Sequence, residues 1–239
     1  MTVLIIHAKK LTDRLPHIEN QLKKHLAGYE WQYILDADKE ELTEELLDQY
    51  FVVGTEMHKM TSAASCSLKH LLACQYVVDH QLDGALILED DIILHKNFRP
   101  MMEKSLAEHQ NRFSDRPVFV SYEDSSLQFV PRSIRKKNQM LYKSPAWRTR
   151  FAGCYYVNNL AAKAIVDYAH HQKLGMPIDH LHITLYDLKQ MDIYWCHPAI
   201  ATQGSCSGLF LSSVGQRRWL ENVRWLLKLS YKRILYWLR

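Results

Sequence analysis

The sequence predicts an α/β fold built on a mostly parallel central sheet, and three observations carry that reading. Short β-branched apolar runs alternate with stretches of three-to-four apolar spacing through the first half of the chain. The run Ala85–Leu94 is apolar on both faces, as suits a strand with helices above and below it. The 239 residues, 47% hydrophobic and 23% charged, suffice for a full core. That composition excludes intrinsic disorder, a collagen-like repeat and a disulfide scaffold. With 8 glycines and 7 prolines, long flexible linkers are excluded too.

The elements follow in order. Thr2–His7 reads as a buried strand leading into a basic loop. Asp13–Leu26 places Leu15, Ile18, Leu22 and Leu26 on one helical face. Trp31–Leu35 is a second strand, ending at Asp36 and Asp38. Glu40–Tyr50 is a charged helix or turn, and Thr61–His80 a long helix. Ala85–Leu94 is a strand, Phe98–Gln110 a helix and Pro117–Tyr122 a strand. Gln128–Arg150 is basic and aperiodic, so it reads as a loop or flap. Ala152–Val157 is a strand, Leu160–His171 a helix capped by Asn158 or Asn159, and Ile178–Met191 a helix. Ile193–His197 is a short strand and Ala201–Val214 a loop. Residues 1–210 form one domain, followed by a helix over 217–239. No internal repeat is visible.

Five cysteines, an odd number with no C-x-x-C spacing, point to a reducing compartment. Cys66, His70 and Cys74 share a helix face. A face of small soft residues is the ordinary explanation there, and a metal site the sharper one. The N-terminus lacks the pattern of a signal peptide, and no run of apolar residues is long enough to span a bilayer.

The stretch Leu86-Ile87-Leu88-Glu89-Asp90-Asp91-Ile92-Ile93-Leu94 is the most informative. Three charges inside an apolar strand must reach water, pair with cations or hold a metal, because burying them alone is costly. Strand alternation puts Glu89 and Asp91 on one face and Asp90 on the other. Two carboxylates at the carboxyl end of such a strand suit magnesium or manganese with a diphosphate. A solvated acidic turn is the competing reading. Met176-Pro177-Ile178-Asp179 offers either a helix cap or a general base at Asp179.

Taken in order, these segments resemble glycosyltransferase family 25 of lipopolysaccharide and lipooligosaccharide biosynthesis. The matching pieces are Ile5-Ile6 with Arg14, Asp36, Ser65-Cys66-Ser67-Leu68-Lys69-His70, Leu86–Asp91, Ala152-Gly153-Cys154-Tyr155-Tyr156 with Ala162-Lys163, and Pro177-Ile178-Asp179-His180. Pro198 and the segment from Gln203 to Ser207 complete them. Ser65 and Lys69 stand where the family pattern has Gly and Ser, and His7-Ala8-Lys9 where an Asn is expected.

The resemblance implies a GT-A-like fold, a UDP-sugar donor (UDP-galactose foremost), Mn2+ or Mg2+, and inversion at the anomeric carbon. It places His7, Arg14, Asp36, His70, Asp90 and Gly153 on the donor side, with Asp38 as second choice to Asp36. Glu89 and Asp91 become metal ligands, with His197 as a candidate third. Asp179 becomes the general base, with Asp124 as runner-up. The basic run Arg132–Lys137 is either a contact for the anionic donor or acceptor, or a solvated loop. An oligosaccharide or lipid-linked glycan is the implied acceptor. The competing classes are an inactive assembly partner and a nucleotidyltransferase.

The last segment, RRWLENVRWLLKLSYKRILYWLR, sets seven cations against Glu221 alone, so the rest of the chain is slightly acidic. At helical spacing Trp219, Leu220, Val223, Leu226, Leu227, Tyr231, Ile234 and Leu238 form an apolar face. Arg217, Arg224, Lys228, Lys232 and Arg239 line one flank, and Trp225, Leu229 and Tyr236 lie on the far side. Such a helix suits an anionic membrane surface, placing the protein in the cytoplasm, peripheral on the inner membrane. Packing onto the domain through the apolar face is the alternative. No nucleic-acid recognition motif is present.

Overall fold

The computed structural model describes residues 1–145, 150–210 and 219–238. In chain order the strands are β1 (Thr2–Ile6), β2 (Trp31–Ile34), β3 (Gly84–Glu89), β4 (Ile92–Leu94), β5 (Val118–Ser121), β6 (Leu141–Lys143), β7 (Cys154–Asn158), β8 (Asp192–Cys196) and β9 (Ala201–Gln203). The helices are α1 (Leu15–His25), α2 (Glu44–Tyr50), α3 (Ser62–Asp79), α4 (Phe98–Phe113), α5 (Asn159–Gln172), α6 (Ile178–Asp187), the single turn α7 (Gly204–Ser207) and α8 (Trp219–Leu238).

Seven strands form the central sheet in the order β2-β1-β3-β7-β5-β8-β6. The pairs β1–β2, β1–β3 and β5–β8 are parallel, and β7 and β6 run against their neighbours. Five of the seven strands therefore point one way, the mostly parallel α/β arrangement expected from the sequence.

Strand alternation explains the layers. Leu4, Ala85 and Ile87 pack with Leu68, Leu71, Ile165 and Leu181 of α3, α5 and α6 on one face. Val3, Ile5, Leu86 and Leu88 pack with Ile18 and Leu22 of α1 and Phe98 and Met102 of α4 on the other. Both faces are buried, so these strands read as continuous apolar runs. Thr61 and Asn158 begin α3 and α5 by accepting the amides of Ala64 and Ala161. Each such cap is worth about 1 kcal/mol.

Four expectations need correction. The run Ala85–Leu94 is not one strand: it breaks at Asp90-Asp91, where the chain leaves the sheet and Ile92–Leu94 pairs with β9 instead. The flap over 128–150 contains β6, which pairs with β8, and residues 146–149 of it lie outside the described residues. The loop over 201–214 begins with β9 and α7, and its residues 211–214 lie outside the described residues. Helix α6 ends at Asp187, short of Met191, and Lys189 takes a left-handed φ of 60°.

Candidate active site

A cavity of about 540 Å³ opens at the carboxyl ends of β1 and β3, a volume within the range of small-molecule sites. Its walls come from the loop after β1, the first turns of α3 and α6, the acidic turn after β3, and the β9–α7 segment. The turn at Asp90-Asp91 cancels the alternation of a strand. Glu89, Asp90 and Asp91 consequently all line this one cavity, rather than dividing between two faces.

The three carboxylates have different surroundings. Asp90 is buried, and its two oxygens accept from His7 Nδ1 at 2.8 Å and Arg14 Nη1 at 2.7 Å. His7, Arg14 and Asp90, separate in sequence, thus form one buried knot. Glu89 accepts from Gln203 Nε2 at 2.9 Å through Oε2. Its Oε1 faces His70 Nε2 at 3.4 Å and the Cys66 thiol at 4.0 Å. His70 is fully buried, with Nδ1 3.0 Å from the Tyr155 hydroxyl.

Asp91 is the exception. Its Oδ2 accepts the Ser205 amide at 2.9 Å, and its carbonyl accepts the Gly204 amide at 2.8 Å. Its Oδ1 is buried and meets no hydrogen-bond partner among the described residues. Burial, and then the charge of Glu89, push the Asp91 carboxyl up to about 6. Of the described residues with a buried atom left open in this way, Asp91 alone lines this cavity.

Asp179 sits in the first turn of α6, directly after Pro177 and Ile178, and lines the same cavity. One of its oxygens accepts the His180 amide at 3.0 Å. Burial raises its carboxyl above the ordinary aspartate range, and Glu89 adds to the rise, while His180 opposes it. A raised carboxylate is the better proton acceptor.

Gly153 works by what it lacks. A Cβ there would lie 2.6 Å from the Gln203 side chain. Its carbonyl accepts the Glu89 amide and its own amide donates to Glu123 Oε1, both at 2.9 Å. Only glycine lets Gln203 lie against this strand end and still reach Glu89.

Other expected residues lie elsewhere. The Asp36 side chain is exposed, and its carbonyl accepts from Lys69 Nζ at 3.0 Å. Lys69 is 2% exposed, donates also to the Leu35 carbonyl at 2.6 Å and faces Asp38 Oδ1 at 3.0 Å. Asp38 additionally accepts the Lys9 amide. His197 does not reach the carboxylates. Strand β8 stands three places from β3, about 14 Å at ordinary strand spacing. Its ring packs edge-on against Tyr142 instead, and burial with Arg135 and Arg150 pushes it down to about 4.

Asp124 is also outside the cavity lining: it is buried, with its oxygens accepting from Thr202 Oγ1 at 2.7 Å and Arg233 Nη2 at 3.0 Å. Cys74 is fully buried away from the cluster, whereas Cys66, His70 and Glu89 hold ligand atoms within 4.8 Å of one another. The candidate ligand atoms that come together on α3 are thus those of Cys66 and His70 with a β3 carboxylate, not with the second cysteine.

Residue-by-residue reading assigned no role to Gln203, Ser205 or Glu123. Glu123 is fully buried, and burial pushes it up to about 8. An acidic pair directly after an apolar strand was its only signal in the sequence.

The chain was compared with known proteins. A family model described as glycosyltransferase family 25 (LPS biosynthesis protein) matches residues 1–182. No curated protein sequence matches. Among solved structures, a glycosyltransferase involved in the glycosylation of the major capsid of PBCV-1 is 11% identical, covering 95% of this chain and 98% of that one at a TM-score of 0.48. A putative glucose-1-phosphate thymidylyltransferase from Bacillus anthracis, solved in complex with a sucrose, is 14% identical, covering 96% and 75% at 0.41. Both likenesses are distant. The family match takes in the acidic turn, Gly153 and Asp179, and on its extent the chain belongs to glycosyltransferase family 25.

Proposed function

We propose that this glycosyltransferase moves a hexose, galactose foremost, from a UDP-sugar to a lipooligosaccharide, lipopolysaccharide or other glycan acceptor, with inversion. The open, buried Oδ1 of Asp91 beside Glu89 on the cavity wall carries the reading. Those hard carboxylate oxygens fit Mn2+ or Mg2+. Asp91 and Glu89 would hold the ion, whose chemistry there is Lewis-acid neutralisation of the donor diphosphate.

The remaining roles belong to the chain itself. Arg14 and His7 lock Asp90 and so fix the turn that carries Asp91. Asp179 takes the proton of the acceptor hydroxyl. That oxygen then bonds to the anomeric carbon from the face opposite the diphosphate, the glycosidic bond to UDP breaks, and UDP departs with the bonding electrons. Asp179 is preferred to Asp124 because it lines the cavity while Asp124 is tied up by Thr202 and Arg233.

A panel of UDP-sugars with manganese tests this, with UDP-galactose expected to give turnover. UDP plus manganese should also raise Tm. An inactive assembly partner shows neither effect, and a nucleotidyltransferase responds to nucleoside triphosphates instead.

The same proposal seats the protein on an anionic bilayer, peripheral on the cytoplasmic face of the inner membrane. Among the described residues no helix is long and apolar enough to cross a membrane. Helix α8 does pack on the domain, but through Trp225 and Leu229 of its minor side. Leu226, Leu227, Tyr231, Ile234 and Leu238 of the broad apolar face stay exposed, beside Arg224 and Lys228. A patch of that kind suits anionic lipid. Leu227→Glu combined with Ile234→Glu should abolish sedimentation with anionic vesicles, and retained binding would refute the membrane reading.

A further inference from the structure

We propose that α8 braces the donor site, with Trp225 and Arg233 as positioning residues that act through the β9–α7 segment. The inference rests on the reading of Glu89 and Asp91 as the donor-side carboxylates.

Two hydrogen-bond chains carry it. Trp225 is 6% exposed, and its indole Nε1 donates to the Ser125 carbonyl at 3.0 Å. Ser125 Oγ accepts the Gln203 amide at 2.8 Å, and Gln203 Nε2 holds Glu89. In the second chain Arg233 holds Asp124, Asp124 holds the Thr202 hydroxyl, and Thr202 is the residue before Gln203. Just beyond, the Gly204 and Ser205 amides hold Asp91. Trp225 also packs with Leu127 and Cys206, and Cys206 lines the cavity. The Gln203 side chain and the Gly204 and Ser205 amides therefore hold the two carboxylates from a segment whose other contacts, through Ser125, Asp124 and Cys206, run to α8.

A terminal helix serving only as an anchor needs none of these contacts. Partners that orient metal-holding groups commonly change metal affinity by about 10–100-fold when lost. The brace is thus expected to tune how firmly Glu89 and Asp91 are held, although neither Trp225 nor Arg233 bonds to them directly.

The test uses the full chain with Arg233→Gln, Trp225→Phe (which keeps the packing but loses the N–H donor) and Leu227→Glu on the outward face as control. Amide exchange, read by NMR without metal or donor, should quicken about tenfold at Gln203, Gly204 and Ser205 in the first two variants, with β1 and β3 unchanged. Arg233→Lys should restore most of the protection, and Leu227→Glu should keep it. The Mn2+ Kd, read by electron paramagnetic resonance, should rise about tenfold in step. Unchanged exchange at the three amides would overturn the brace, as would a uniform rise across the sheet, which marks general loss of stability. If wild type binds no Mn2+ while the amides respond as expected, the metal reading falls and the brace stands.

Discussion

Two acidic strand ends stand one strand apart in the sheet, and they are finished in opposite ways. Glu89-Asp90-Asp91 follows β3, and Glu123-Asp124 follows β5, with β7 between them. Around β5 the carboxyl groups line no part of the cavity. Glu123 holds the Gly153 amide through Oε1 from a fully buried position, its Oε2 without a hydrogen-bond partner among the described residues, and Asp124 is tied by Thr202 and Arg233. Around β3 the turn faces a cavity and Asp91 keeps one oxygen open. Similar acidic endings therefore differ in what they border. The β5 end is built into the frame, while the β3 end lines the cavity proposed to take the donor.

The sharpest way to break this contrast is to neutralise one carboxylate on each side. Asp91→Asn should lower kcat/KM with a UDP-sugar and manganese by about 10⁴-fold, the worth of several kcal/mol of charge stabilisation. Asp124→Asn should stay within about tenfold, in line with a single lost charge-assisted hydrogen bond. Equal losses would erase the distinction. Asp179→Asn comes next: kcat should fall by about 10²–10³-fold with donor KM little changed, as for a lost general base. A change in KM alone would move Asp179 to donor binding.

Acidity probes the open end more gently. Asp91 titrates at about 6, so below that pH a proton competes with the metal. The manganese concentration for half-maximal turnover should rise about tenfold per pH unit below 6 and stay level above it. A level response throughout would show that Asp91 is not a ligand.

The smallest effect concerns the closed end. The folded protein holds the Glu123 proton more tightly than the unfolded chain does, since burial lifts it to about 8. Its contribution to stability is present in full below about pH 4.5 and is lost as pH rises through about 8. Glu123→Gln mimics the neutral acid. Its Tm should gain on wild type by a few degrees between pH 5 and pH 9. Parallel Tm curves would mean that Glu123 is uncharged or well solvated throughout.

Much of the frame was legible because period and capping are local signals. The apolar runs at Val3–Ile6 and Ala85–Leu88 and the cap at Asn158 are each set by residues close in sequence. The acidic turn was legible as an anomaly, since three charges in an apolar run demand an explanation. Its geometry was not, because β1 and β3 end at the paired residues Ile6 and Glu89 and the chain then turns off. Short β6 and β9 carry too few residues for a period to register. Gln203 and Ser205 matter through contacts 114 residues away, which no local pattern records. The tail shows the same limit: its wide apolar stripe was plain, but docking through Trp225 depended on a seat built by Leu127 and Cys206.

One consequence of the buried Lys69 reaches beyond a single molecule. Its ammonium satisfies the end of β2 and neutralises Asp38, and both side chains are nearly out of water. Losing either partner strands the other as a lone buried charge, at about 3–5 kcal/mol. The two positions are mutationally entangled. In a library selected only for folding they should change together or not at all, so a relative that differs at Lys69 is expected to differ at Asp38 as well.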